Sequence, residues 1–129
     1  MARGLDAHKA RKAAVSALGR DLSRRARSRC EVCGEGGRLT VLEVPPTDEE
    51  PSMDRAVLAC DRCKALSDGA LAGADSNTLR FLGETVWSEV LPAQLVAVRL
   101  VRVLAENGVP WAQEAADGLW LDEDVESIV

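Results

Sequence analysis

Four residues of this chain combine soft-ligand chemistry with regular spacing: Cys30 and Cys33 in "RCEVCG" (Arg29 to Gly34), and Cys60 and Cys63 in "ACDRCK" (Ala59 to Lys64). Together the two Cys-x-x-Cys pairs use every cysteine present. Three chemistries are open to them: two redox dithiols, a disulfide framework, or the four ligands of one metal ion. Zinc takes four soft donors tetrahedrally, and a two-residue gap lets one tight turn present two sulfurs to the same ion. The 26 residues between the pairs exceed the usual interval of about 15–20. An acidic loop, "TDEEPSMD" (Thr47 to Asp54), accounts for the excess. Four thiolates on one Zn2+ leave a double negative charge, which Arg29, Arg38, Arg62 and Lys64 lie close enough in sequence to offset. Gly34 follows Cys33, where a knuckle turn favours a positive φ. Lys64 holds the matching place after Cys63 and would cost roughly 1 kcal/mol there if its φ were positive.

The reading is one zinc ion held by Cys30, Cys33, Cys60 and Cys63, structural because four cysteines close the coordination sphere. A thioredoxin-like dithiol is the rival. "VLACDRCKAL" does place a Cys-x-x-Cys between a strand and a helix start, but that leaves Cys30 and Cys33 unexplained and lacks a βαβ frame. Catalytic candidates are few. His8 is the chain's one histidine and reads as a solvated residue. Glu43 and the run Asp48-Glu49-Glu50 could supply carboxylates but read as part of a solvated loop. The sequence has no nucleophile–base pair and no Gly-rich phosphate loop.

The elements that must position the cysteines are legible. From about Ala7 to Arg27, Ala14, Leu18, Leu22 and Ala26 draw an apolar stripe at helical spacing among basic side chains. "RLTVLEV" (Arg38 to Val44) is a strand stopped by Pro45-Pro46, and "RAVLAC" (Arg55 to Cys60) is a second strand entering the second pair. "SDGALAGADS" (Ser67 to Ser76) reads as a linker from its turn signals. The rest is helical. One helix runs from Asn77 to Val90, capped near Asp75 or Ser76. A second opens at Pro92 and runs to Glu106, stopped by Asn107-Gly108, with Arg102 and Glu106 placed to pair. A third starts at Pro110 or Trp111 and ends near Gly118. Asp122 then caps an acidic final turn. Trp87, Trp111 and Trp120 are expected to anchor the packing of these helices.

The expected fold class is therefore α+β. A small two-stranded, zinc-ribbon or treble-clef-like finger (30–66) is preceded by a basic helix (1–29). A linker (67–76) and an all-helical C-terminal half (77–129) follow it. With three Trp, one Phe and no Tyr, the core is mostly Leu, Val and Ala, and a structural metal would add to its stability. Residues 1–29 hold nine Lys/Arg against Asp6 and Asp21, a net charge of +7 in a chain of net −5. Such an arm either meets an anionic partner or folds onto its own acidic body. The most apolar window, Pro92 to Ala105, is too short to cross a bilayer and contains Arg99 and Arg102. "AAVSALG" is too short for a signal sequence and runs into Arg20 and Asp21. The cytoplasm is the expected compartment, where thiols stay reduced.

"CEVCG", "EVPP" (Glu43 to Pro46), "ACDRCK", "WSEV" (Trp87 to Val90) and "LWLDE" (Leu119 to Glu123) together resemble the PhnA-type zinc-ribbon family, in its branch with a helical C-terminal half. The resemblance spans about residues 18–126. It implies a zinc ribbon and no defined biochemical activity. In that branch proline directly follows the "WSEV" motif, whereas here Leu91 precedes Pro92. Hydrolysis of a carbon–phosphorus bond calls for several His and Asp ligands around open metal positions, so the family's phosphonate-operon name is not carried over as an activity. Three functions follow. The first is a non-enzymatic adaptor with an unidentified protein partner. The second is a nucleic-acid binder using Arg20, Arg24, Arg25 and Arg27 on phosphates. The third is an inactive relative of HNH nucleases, with Glu43 where such a nuclease needs a histidine base.

Overall fold

A computed structural model describes the backbone from Ala2 to Val129 and the side chains from Ala7 onward. Arg3 and Asp6 of the basic segment lie outside the described side chains. The order is two helices, a two-stranded hairpin, and a series of helices. The basic segment forms α1 (Ala2–Ala17) and α2 (Gly19–Ala26) rather than one helix. The ladder tightens at the junction, where the Leu18 amide bonds Val15 O, and Gly19 is a poor helix former. A Cβ on Gly19 would sit 3.8 Å from Val41 Cγ2, so the break lies where the helices meet the sheet. Leu22 of α2 is fully buried with Ala56 and Leu58, and Leu18, Ala26, Val41 and Met53 pack round them. α2 ends in two left-handed residues, Arg27 (φ 56°) and Ser28 (φ 59°), which turn the chain toward Cys30.

β1 (Leu39–Glu43) and β2 (Ala56–Cys60) pair antiparallel, with Leu39 opposite Cys60, Val41 opposite Leu58 and Glu43 opposite Ala56. The Val44 amide still bonds Arg55 O at 2.7 Å. Pro45 and Pro46, without amide hydrogens, end the ladder there. β2 runs directly into α3 (Asp61–Ser67).

Residues 67–76, read as a linker, form a 3-10 turn over Ala70–Gly73 whose Leu71 is buried in the main core. The expected helix over 77–90 is broken. Asp75 does cap, accepting from the Asn77 amide, but it opens a 3-10 turn at Ser76–Leu79, followed by the single-turn α4 (Leu82–Thr85). α5 (Leu91–Glu106) matches expectation: Pro92 sits in its first turn, and apolar residues are buried almost all round it, from Ala93 to Leu104. α6 (Pro110–Asp117) and α7 (Glu123–Glu126) complete the chain.

Two expectations are corrected here. Arg102 pairs not with Glu106 but with Glu126 at 2.9 Å, because α7 brings its acidic turn beside α5, where Arg99 also donates to Ile128 O. The tryptophans are not three packing anchors: Trp87 is 53% and Trp120 74% exposed. Trp111 alone is half-buried, its indole N–H donating to Ser76 O. One cluster of buried residues holds Cys30, Val32, Cys63, Leu79, Leu82 and the inward face of α5 together. None of the described helices is long and apolar enough to cross a membrane.

Candidate metal centre

The two knuckles reach the same point by different routes. In the first, the Cys30 amide bonds Glu35 O and the Gly34 amide bonds Cys30 O, closing a turn with Gly34 at φ 83°. In the second, Cys60 is the N-cap of α3 and its sulfur accepts from the Cys63 amide at 3.5 Å. The first knuckle mirrors that contact, from the Cys33 amide to Cys30 Sγ at 3.5 Å. Lys64 lies inside α3 and needs no positive φ, so its place is not equivalent to that of Gly34.

All four sulfurs lie within 4.8 Å of one another, and Cys33 Sγ is 3.7 Å from Cys60 Sγ. Zinc–sulfur bonds of about 2.3 Å at tetrahedral angles require sulfurs about 3.8 Å apart, so the cluster has the dimensions of such a site. Cys30 and Cys63 are buried, while Cys33 and Cys60 are partly exposed.

The electrostatics call for a cation. Interaction with the Cys63 thiol holds Cys30 down to about 4, well below an ordinary thiol. The same interaction, burial and the neighbouring sulfurs push Cys63 up. Burial, followed by the Cys30 charge, raises Cys33. Sulfurs this close cannot all carry charge unaided. A divalent ion among them removes that conflict and favours the thiolates. Of the cations expected to offset them, Arg62 feels the cluster. Partial burial works to lower its pKa, but interaction with Cys33 and the charges of Cys33, Cys63 and Cys60 outweigh that, and the net shift is upward. Its guanidinium stacks 5.0 Å from the Phe81 ring centroid. Arg62, like Arg29, Arg38 and Lys64, is exposed.

The basic segment divides. Arg20, Arg24 and Arg27 are exposed and enter no salt bridge among the described residues. Arg25 does not belong with them. Its Nε and Nη2 donate to the Glu31 carboxylate at 2.8 and 2.9 Å, and Nη1 and Nη2 donate to Met53 O and Ala56 O. Glu31 also accepts from the Leu58 amide at 3.0 Å, and its own amide donates to Leu58 O. This staple, which ties α2, the first knuckle and β2 together, was missed in the sequence. The available signal was a charged residue inside a Cys-x-x-Cys six positions after an arginine.

Glu43 is engaged too: Arg11 donates to its Oε1 at 2.7 Å and its Oε2 at 3.1 Å, and reaches Asp48 O and Glu49 O. Part of the basic segment thus folds onto the acidic loop, and Glu43 does not stand as a free base in the first strand. His8 is exposed on α1. No family model, curated protein or solved structure matches the chain.

Proposed function

We propose that the chain is a non-enzymatic zinc-binding module in which Cys30, Cys33, Cys60 and Cys63 hold one structural Zn2+, and that it serves as a protein-interaction adaptor. The observation that carries the reading is the juxtaposition of four cysteine sulfurs within 4.8 Å. Four thiolates select zinc among the common divalent ions, and a filled tetrahedron leaves no position for water or substrate. The turn-type first knuckle and helix-start second knuckle fit a treble-clef-like finger. Its "EVPP" and "WSEV" motifs resemble those of PhnA-type zinc-ribbon proteins, which supports the same reading.

The test is metal content and free-thiol count on protein purified without added metal. About one zinc per chain and thiols unreactive until a chelator is added are expected, with zinc lost in Cys63→Ser. A zinc-free protein carrying a reversible Cys30–Cys33 or Cys60–Cys63 disulfide would replace this reading with dithiol chemistry.

A second reading, nucleic-acid binding, is favoured by the exposure of Arg20, Arg24 and Arg27 along α2 and its end. It predicts duplex DNA binding at low salt that weakens steeply as salt rises, and still more steeply in the parent than in an Arg20→Ala/Arg24→Ala variant. Binding indifferent to salt would remove it.

A further inference from the structure

The two edges of the hairpin are treated differently. Leu58 turns both its N–H and its C=O away from β1, to Glu31, and the Ala56 carbonyl accepts from Arg25. The outer edge of β2 is thereby covered. Because Leu58 faces away, its partner Val41 belongs to a non-hydrogen-bonded pair. The N–H and C=O of Val41 therefore point to the other side. Those of Leu39 and Glu43, two residues to either side, do the same. The Val44 amide bonding Arg55 O fits this alternation. None of these outward backbone groups of β1 has a protein partner among the described residues.

They open onto a groove of about 890 Å³ that is lined by all of β1, by Val15 and Lys12 on α1, and by Lys64 on α3. Thr40 lines it too, and its buried Oγ1 has no hydrogen-bond partner among the described residues. Arg11 in the groove is already paired with Glu43. His8, Lys12 and Lys64 are exposed and form no salt bridge among the described residues. Exposed strand edges are sites for an added strand, with backbone hydrogen bonds giving affinity and flanking side chains selecting the partner.

We propose that the free edge of β1 takes up an extended, acidic peptide segment of a partner protein as an added strand, with Lys12 and Lys64 meeting its carboxylates. This names the partner chemistry of the adaptor reading and rests on it. A second copy of the chain is disfavoured as occupant, because edge-to-edge pairing would bring the lysines of both copies together.

The probe is a fluorescent peptide of alternating valine and threonine flanked by glutamates, titrated by anisotropy into the zinc-loaded full chain, with zinc content measured on the same sample. Saturable binding is expected, with new amide-exchange protection at Leu39, Val41 and Glu43. Methylating alternate peptide nitrogens should weaken it at least about tenfold, with no change to the protein. Lys12→Glu/Lys64→Glu should weaken the acidic peptide and strengthen one flanked by lysines. No binding by a folded, zinc-replete chain would overturn the proposal while leaving the zinc reading intact; a zinc-free chain would overturn both. Equal binding of the methylated peptide, protection away from β1, or full displacement by duplex DNA would each also overturn strand addition.

Discussion

Glu31 occupies a position between two proposed zinc ligands, yet its work is done through Arg25. Its side chain is only 3% exposed, and a carboxylate that deep is tolerable only when its lone pairs are filled. Two bonds from Arg25 and one from the Leu58 amide fill them. The asymmetry between removing one partner and keeping both decides the size of the effect. Arg25→Ala strands the carboxylate and also frees the Met53 and Ala56 carbonyls, so it should destabilise the zinc-loaded protein by about 3–5 kcal/mol. Arg24→Ala, one residue away on the exposed face, should stay within about 0.5 kcal/mol of the parent. Urea unfolding of the three proteins checks this. Equal midpoints for the two variants would mean that the staple contributes nothing beyond an ordinary surface pair.

At the level of elements, the parts that local chemistry dictates alone were the legible ones. β1 and β2 announce themselves through β-branched residues bounded by prolines and cysteines. α5 announces itself through Pro92, an unbroken apolar run and the Asn107-Gly108 stop. The cysteine cluster was legible because its spacing is itself the signal. What could not be read depends on contacts between distant residues. The stripe Ala14, Leu18, Leu22, Ala26 runs in phase through the Leu18–Gly19 break, so the pattern carries no sign that the helix divides where it meets the sheet at Val41. Over 77–90 short turns stand in place of a helix, and the Thr85 hydroxyl ties them to the first knuckle by donating to Val32 O at 2.7 Å across 53 residues. Arg102 likewise had a partner at helical spacing and took one from α7. The left-handed end of α2 was equally hidden, since neither Arg27 nor Ser28 is a glycine. An L-residue held there costs roughly 1–2 kcal/mol, and Ser28 is exposed, with no side-chain hydrogen bond to lose among the described residues. Ser28→Gly should therefore raise stability by about 0.5–1 kcal/mol after the larger entropy of unfolded glycine is allowed for. A denaturation midpoint that falls or stays fixed would show that the strain at this turn is already relieved.

On the scale of the whole molecule, the finger and the C-terminal helices share one interior, while α2 packs on the hairpin in a second cluster. Cys30, Val32 and Cys63 lie in the same buried cluster as Leu95, Val98 and Val101 of α5. Thr85 bonds the knuckle backbone, and Arg11 draws α1 onto the acidic loop. A core continuous from the knuckles through α5 couples the fate of those parts. Zinc binding to four cysteines is worth about 10–16 kcal/mol in isolated fingers, as large as the whole stability of a typical domain, about 5–15 kcal/mol. Removing the proposed ion should thus melt more than the knuckles. With a strong chelator, amide-exchange protection should collapse in α5 together with β2, and the environment of Trp111, bonded to Ser76, should change in the same transition. Acid should act by the same route, because zinc holds the sulfurs as thiolates and protons compete for them as pH falls. Protection retained in α5 while β1 and β2 exchange freely would mean instead that the helical half folds on its own, with the metal stabilising only the finger.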